Sequence, residues 1–315
     1  MIPESVRQQV FGELGRPPEA VKLLGGYSDN VFEIERAPGN PIVVKILDHT
    51  VTPREHTRSE LEWLSYLGAC DVHAIRPMDV EPAKYLHQVS GPFYYILYHK
   101  AEGVHADLKD ENVWNPLLFV KWGEAMGKLH LCAQSYKAVY PRPHWQEHTL
   151  FRQNLLRADS FLSEKWRGYQ REFKLLSATK EEFGLIHGDL HSHNFLLDNG
   201  RLTVIDFGDS EYHWYDYDIA ITIYHMAQTI PEGAGRRMAV LEFFEAFMKG
   251  YHGVNPRIAS VDRINYFIDY RHLYSYTYHS IYSEPGTLNE AQTSYLAQMR
   301  QSLEEGGPCL GFSLT

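Results

Sequence analysis

Three polar residues fall at set spacing within one stretch: Asp189, Asn194 five positions later, and Asp206 seventeen positions after Asp189. Apolar, strand-like runs bound them, Leu185-Ile186 on one side and Val204-Ile205 on the other. A carboxylate beside hydrophobic strands is costly unless it is paired or holds a metal. Phosphoryl transfer from ATP gives such a set a use. One carboxylate orients the attacking hydroxyl and takes its proton; an amide oxygen and a second carboxylate hold Mg2+ against the triphosphate. Asp189 suits the first task and Asn194 with Asp206 the second, because magnesium keeps waters and phosphate oxygens as its other ligands. Plainer readings stay open at this point. His187-Gly188-Asp189 can be a turn with an Asx hydrogen bond, and Asp206-Phe207-Gly208-Asp209 a strand end. His187, His191 and His193 can be zinc ligands, although zinc would not explain Asp189, Asn194 and Asp206 together.

The elements that must position these residues are legible in outline. Residues 4–14 place Val6, Val10, Phe11 and Leu14 on one helical face. Residues 21–24, 31–34 and 42–47 read as three strands, broken by Gly25-Gly26-Tyr27-Ser28-Asp29-Asn30 and by a turn at 37–41. Lys45 lies on the third strand. Residues 54–67 switch to helical period, 93–98 return to strand, and 115–133 are helical. Short strands are expected near 184–186, 195–197 and 202–206, with helices over 218–229, 236–251 and 263–282. The order predicts a small β-rich part followed by a mainly helical one.

Bulk properties narrow the function classes. The formal net charge is −10 with no Lys/Arg run, which argues against nucleic acid as a partner. No stretch approaches 18 apolar residues, so no membrane span is expected. Cys70, Cys132 and Cys309 are too scattered for a disulfide framework or a zinc cluster. The N-terminal residues lack the apolar core of a signal peptide. A cytoplasmic globular protein is the expectation.

The segment 186–220 resembles the aminoglycoside phosphotransferase/choline kinase superfamily. That family's pattern is close to HGDxHxxN, then IDF, then D-[IL]-A, the last matched by Asp218-Ile219-Ala220. Protein kinases carry a lysine two positions after the Asp, where this chain has His191. Residues 200–224 are most similar to bacterial homoserine-kinase-type and stress-response-kinase-like members. The resemblance implies an α+β, bilobal protein-kinase-like fold with a β-rich N-lobe (1–98), a hinge (99–103) and a larger helical C-lobe (104–315). It implies ATP and Mg as cofactors, and as partners ATP and a small-molecule hydroxyl acceptor. Lys45 would bind phosphate and be held by Glu60, with Glu62 as the other choice. Gly26, Ser28 and Asn30 would form the loop over the phosphates, and the backbone of His99 and Ala101 would meet adenine. Asp218 would buttress the catalytic loop, although an N-cap role would account for it equally well.

The acceptor pocket is expected from two segments. Residues 209–217 carry Asp209, His213 and Trp214, and helix 263–282 carries Tyr266, Tyr270, Tyr274, Tyr278 and Tyr282 with Arg271 among them. A helical aromatic stripe is more often core than ligand wall. Arg271 could clamp a substrate carboxylate, whereas the acidic segment could hold an amine. Tyr212-His213-Trp214 departs from relatives that carry a glycine there and adds bulk. The two other readings are a stress-response-type Ser/Thr protein kinase and a catalytically silent nucleotide-binding scaffold.

Overall fold

The computed structural model describes residues 2–26, 28–37, 39–78, 85–148, 150, 159–231, 233–282 and 288–315. Tyr27 of the glycine-containing turn and Pro38 of the next turn lie outside them, as does the side chain of Tyr282. The chain divides into two compact units, neither continuous in sequence. The first holds Met1–Ala106, Ser135–Arg142 and Asn194–Gly208; the second holds Asp107–Gln134, Pro143–His193 and Asp209–Thr315. A single cut at 99–103 therefore does not describe the packing, because two later segments join the first unit.

The first unit is built on an antiparallel sheet in the order β1 (Val21–Gly25), β2 (Val31–Ala37), β3 (Asn40–Asp48), β5 (Phe93–His99), β4 (His87–Gln88). Strand periodicity sorts its faces. Phe32, Ile34, Ile42, Val44, Ile46 and Tyr95 pack with Val6, Val10 and Phe11 of helix α1 (Glu4–Glu13). The alternate residues of β3 and β5 turn the other way, towards helix α2 (Arg54–Leu67), where Tyr94 bonds Thr57 at 2.8 Å and Tyr98 donates to Glu60 at 3.0 Å. Lys45 sits between Val44 and Ile46, so it belongs to this second face. Leu61, Trp63, Leu64 and Leu67 bury the apolar side of α2.

A hairpin of β7 (Phe195–Asp198) and β8 (Arg201–Val204) completes this unit. Its two-residue loop is Asn199-Gly200, with φ of +47° and +78°. An Asn-Gly loop with both φ positive suits the right-handed twist of a tight hairpin. The hairpin is fixed to the rest of the unit at Val104–Leu197 and Ala74–Val204.

The second unit is mainly helical: α3 (Pro116–Ala133), α4 (Ser160–Phe173), α5 (Tyr215–Gln228), α6 (Ala234–Val254), α7 (Val261–Tyr282) and α8 (Glu290–Glu305). A short ladder pairs β6 (Phe183–Leu185) with β9 (Tyr212–Trp214). Its core is aromatic, with Phe173, Trp145, Trp214, Tyr217, Phe267 and Tyr270 in mutual ring contact. Among the described residues no helix is long and apolar enough to cross a membrane.

Candidate phosphotransfer site

In the first unit the hairpin explains the spacing of two site residues. β7 and β8 pair in register from Phe195–Val204 to Asp198–Arg201, so Asn194 and Ile205 flank the open end of the ladder, and the Ile205 N–H donates to the Asn194 carbonyl at 2.9 Å. Asp206 follows immediately, with φ of +60°, a conformation that Asp tolerates better than most residues and that is often found at functional sites. Lys45 Nζ lies 2.9 Å from Asp206 Oδ1. Arg142 is buried and fastens the same segment: one Nη donates to the Phe207 and Gly208 carbonyls at 2.7 and 2.8 Å, the other to the His56 carbonyl at 2.6 Å. Nothing in the sequence pattern singled out Arg142, because a lone arginine in a loop carries no periodic signal.

Glu60 is buried on α2 and accepts from Tyr98. Burial pushes the Tyr98 hydroxyl well above its ordinary pKa, and the charges of Glu60 and Asp206 push it in the same direction. Tyr94 is also shifted up by burial and feels both Glu60 and Lys45, so these groups share one neighbourhood. Glu62 instead accepts the backbone N–H groups of Val139 and Tyr140, which gives it a structural task. Asn30 is buried and its amide donates to the Ile46 carbonyl at 2.8 Å, tying the glycine-containing turn to the lysine strand. Gly26 in that turn has φ of +90°, and Ser28 is half-buried. The His99 N–H donates to the Arg76 carbonyl, and Ala101 follows beyond the strand.

In the second unit the loop carrying Asp189 is anchored from beneath by Asp218. Its carboxylate accepts the N–H groups of His187 and Gly188, each at 2.9 Å, and His130 Nε2 at 3.0 Å, all fully buried. Burial raises the Asp218 pKa, but the hydrogen bonds and charge of its neighbours outweigh this and hold it below the usual carboxylate range. Burial holds the His130 pKa down, so His130 donates from Nε2 while Nδ1 accepts from Tyr251, 2.9 Å away. Asp218 lies in the first turn of α5, whose N-cap is Trp214, so the N-cap reading is corrected. Gly188 is required here: φ is +85°, and a Cβ would stand 2.3 Å from the Asp209 carbonyl oxygen.

Asp189 itself is ringed by basic side chains. Arg271 Nη2 lies 2.8 Å from Oδ1, His225 Nε2 3.5 Å from Oδ1, and His191 Nε2 3.3 Å from Oδ2. Burial works to raise its pKa, but the hydrogen bond from His191 and the charge of Arg271 prevail and hold it well below the usual range. Burial pushes His225 down to about 4, so its neutral ring can accept from Arg271 Nη2, 2.9 Å away. His225 and His148 were not foreseen. His148 meets the Tyr274 hydroxyl at 3.0 Å, and the Arg271 guanidinium lies 4.9 Å from the Tyr274 ring centroid. Two of the loop histidines have separate tasks: His187 Nδ1 accepts from the Asp189 N–H, whereas His191 Nδ1 accepts from the His193 N–H and its Nε2 faces Asp189.

Two expected pocket residues are placed otherwise. His213 and Trp214 are buried in the aromatic core; His213 lies against Tyr217, and Trp214 Nε1 donates to the Ser177 carbonyl. Aromatic neighbours cover both of these adjacent strand residues, Phe173 and Tyr217 against His213 and Phe173 and Phe267 against Trp214, which corrects their assignment as pocket walls. Tyr270 is also core, whereas Tyr266 reaches Glu172 and Tyr274 stands beside Arg271. The Asp209 backbone packs on Gly188.

The phosphotransferase enzyme family (APH) profile matches residues 19–258. The chain is 26% identical to the amicoumacin kinase of Bacillus subtilis (strain 168), covering 99% of this chain and 95% of that one. A solved complex of the amicoumacin kinase hAmiN with AMP-PNP, Ca2+ and Ami superposes with a TM-score of 0.84 at 25% identity, over 94% of this chain and 91% of that one. The choline kinase LicA of Streptococcus pneumoniae shares the fold, with a TM-score of 0.61 at 14% identity over 96% and 99% of the two chains. With a β-rich N-terminal part, a helical C-terminal part and the family's motif intact, the chain belongs to the APH phosphotransferase enzyme family and is a small-molecule kinase acting on a hydroxyl group.

Proposed function

We propose that the chain moves the γ-phosphoryl group of ATP, with Mg2+, to a hydroxyl of a small molecule such as an amino acid, an amino alcohol or an antibiotic. The carrying observation is the hairpin end, where Asn194 adjoins Ile205-Asp206 and Lys45 Nζ stands 2.9 Å from Asp206. An amide oxygen and a carboxylate suit a hard cation that keeps water and phosphate oxygens as further ligands. That cation, held by Asn194 and Asp206, would neutralise charge on the transferring phosphate. The AMP-PNP and Ca2+ bound by hAmiN support a nucleoside triphosphate and a divalent cation.

Lys45 would exchange its contact with Asp206 for phosphate oxygens, with Glu60 on the neighbouring helix to hold it. The turn at Gly26 and Ser28 would lie over the phosphates, with Asn30 keeping that turn on β3. Residues up to 98 would serve the nucleotide, and 99–103 its adenine. Because the His99 N–H is already bonded to Arg76, an adenine donor must come from further along this segment, as at Ala101. Residues 104–315 would supply Asp189 and the acceptor pocket. Asp189 would accept a hydrogen bond from the acceptor hydroxyl and point its oxygen at the phosphorus. Its strongly lowered pKa makes it an orienting group first and a proton acceptor late in the transfer.

ADP release should be followed with ATP and Mg2+ against amino acids, amino alcohols, aminoglycosides, macrolides and a protein substrate. Acceptor-dependent release by the wild type that is lost in Asp189→Ala supports the reading. Release that survives the substitution, or that needs a protein acceptor, contradicts it.

A further inference from the structure

Both oxygens of Asp189 already face donors, so an incoming hydroxyl must share them. Oδ1 holds Arg271 Nη2 at 2.8 Å, with His225 Nε2 at 3.5 Å, and Oδ2 faces His191 Nε2 at 3.3 Å. The strongest of these contacts is the ion pair with Arg271. Arg271 is 8% exposed, and its Nε is buried with no hydrogen-bond partner among the described residues. Nε and Nη2 share one edge of the planar guanidinium, the edge that grips a carboxylate or carbonyl group. Asp189 occupies only the Nη2 end of that edge. Removing Asp189 from Arg271 without replacement would leave the buried cation only neutral partners, His225 and Tyr217, which is unfavourable.

We infer that Arg271 is a specificity-determining residue: it favours acceptors in which two or three carbons separate the reacting hydroxyl from a carboxylate or amide carbonyl. The acceptor oxygen takes over the Nη2 and Nε edge, and Asp189 Oδ1 passes to the acceptor hydroxyl. The buried cation keeps an oxygen partner throughout. The neutral His225 ring keeps its own bond to Nη2 and so steadies the guanidinium during the exchange. An acceptor lacking such an oxygen must share Asp189 with Arg271 and leaves the Nε end of the guanidinium edge unfilled. This inference rests on the proposed hydroxyl phosphorylation and narrows its substrate class.

The test compares matched acceptors: homoserine with 3-aminopropan-1-ol, and threonine amide with 1-aminopropan-2-ol. In the wild type, kcat/KM should favour the carbonyl-bearing member about 10- to 100-fold, the size expected of a hydrogen bond to a charged group. In Arg271→Gln the ratio should fall towards one, chiefly through a raised KM for the carbonyl-bearing member, and Arg271→Lys should restore part of it. Equal kcat/KM within the wild-type pairs overturns the inference, and this reading holds even if a variant fails to fold. An Arg271→Gln protein that loses the same factor on both members also overturns it, since Arg271 would then only hold Asp189. If the wild type turns over other hydroxyl acceptors but neither member of either pair, the inference fails alone. If it turns over none, the phosphotransfer reading fails and this inference with it.

Discussion

Replacing Asp218 by alanine removes the acceptor of three fully buried hydrogen bonds, from the His187 and Gly188 N–H groups at 2.9 Å and from His130 Nε2 at 3.0 Å. Hydrogen bonds to a charged group contribute roughly 1.5–3 kcal/mol each, and a buried donor left without a partner costs about 1–3 kcal/mol. The three share one carboxylate, so their effects do not add fully. A loss of about 3–5 kcal/mol is expected, as for other broken buried pairs. In a chain of this size that corresponds to a fall in Tm of roughly 5–10 °C. The assay is thermal unfolding followed by circular dichroism, with kcat measured below the transition. kcat should fall as well, because the anchored loop carries Asp189. The pH dependence has a definite sign. The native carboxyl is lowered, so the unfolded chain takes up its proton first, and the contribution is complete above the ordinary carboxylate range and lost as pH falls through the lower native value. A Tm within about 2 °C of wild type with kcat unchanged would refute the anchoring argument.

Further predictions concern the same framework. Gly188→Ala forces a Cβ to 2.3 Å from the Asp209 carbonyl at φ +85°, so activity should fall at least about tenfold with reduced thermal stability; wild-type behaviour would show that the loop relaxes easily. Arg142→Ala removes the donors that hold Phe207 and Gly208, and should weaken ATP binding about tenfold by titration calorimetry; unchanged affinity would remove Arg142 from the account. His148, His225 and His272 are each pushed down to about 4 by burial. The unfolded chain therefore takes up their protons first, and stability should fall as pH drops from about 6.5 towards 4, by about 1.4 kcal/mol per histidine for each pH unit. A Tm that is flat between pH 7 and pH 5 would contradict that.

Much of this was legible because the signals were periodic or had fixed spacing. The strand read over 42–47 is β3 and carries Lys45, and the helical spacing of Leu61, Leu64 and Leu67 gave α2. The interval from Asn194 to Asp206 reflects a hairpin with an Asn-Gly loop, so a local rule fixed the pairing of two distant residues. Helix α4 was missed because its buried residues, Leu162, Trp166 and Phe173, are sparse, and α8 because only Met299 and Leu303 are buried. His213 and Trp214 read as pocket residues because a three-residue strand does not show that both of its faces are covered; the aromatic side chains that cover them, Phe173, Tyr217 and Phe267, come from distant segments. Arg142, His148 and His225 act through single contacts made by tertiary packing, which no spacing along the chain encodes.

Asp189 is proposed to direct an acceptor hydroxyl onto the γ-phosphoryl group of ATP. The most direct test of this role is a mass-spectrometric measurement of acceptor phosphorylation by the wild type and Asp189→Ala, with ATP affinity measured on both proteins. The account predicts an acceptor heavier by one phosphoryl group with the wild type, a rate at least about 100-fold lower with the variant, and similar ATP affinity. A phosphorylated acceptor formed at comparable rates by both proteins would contradict it.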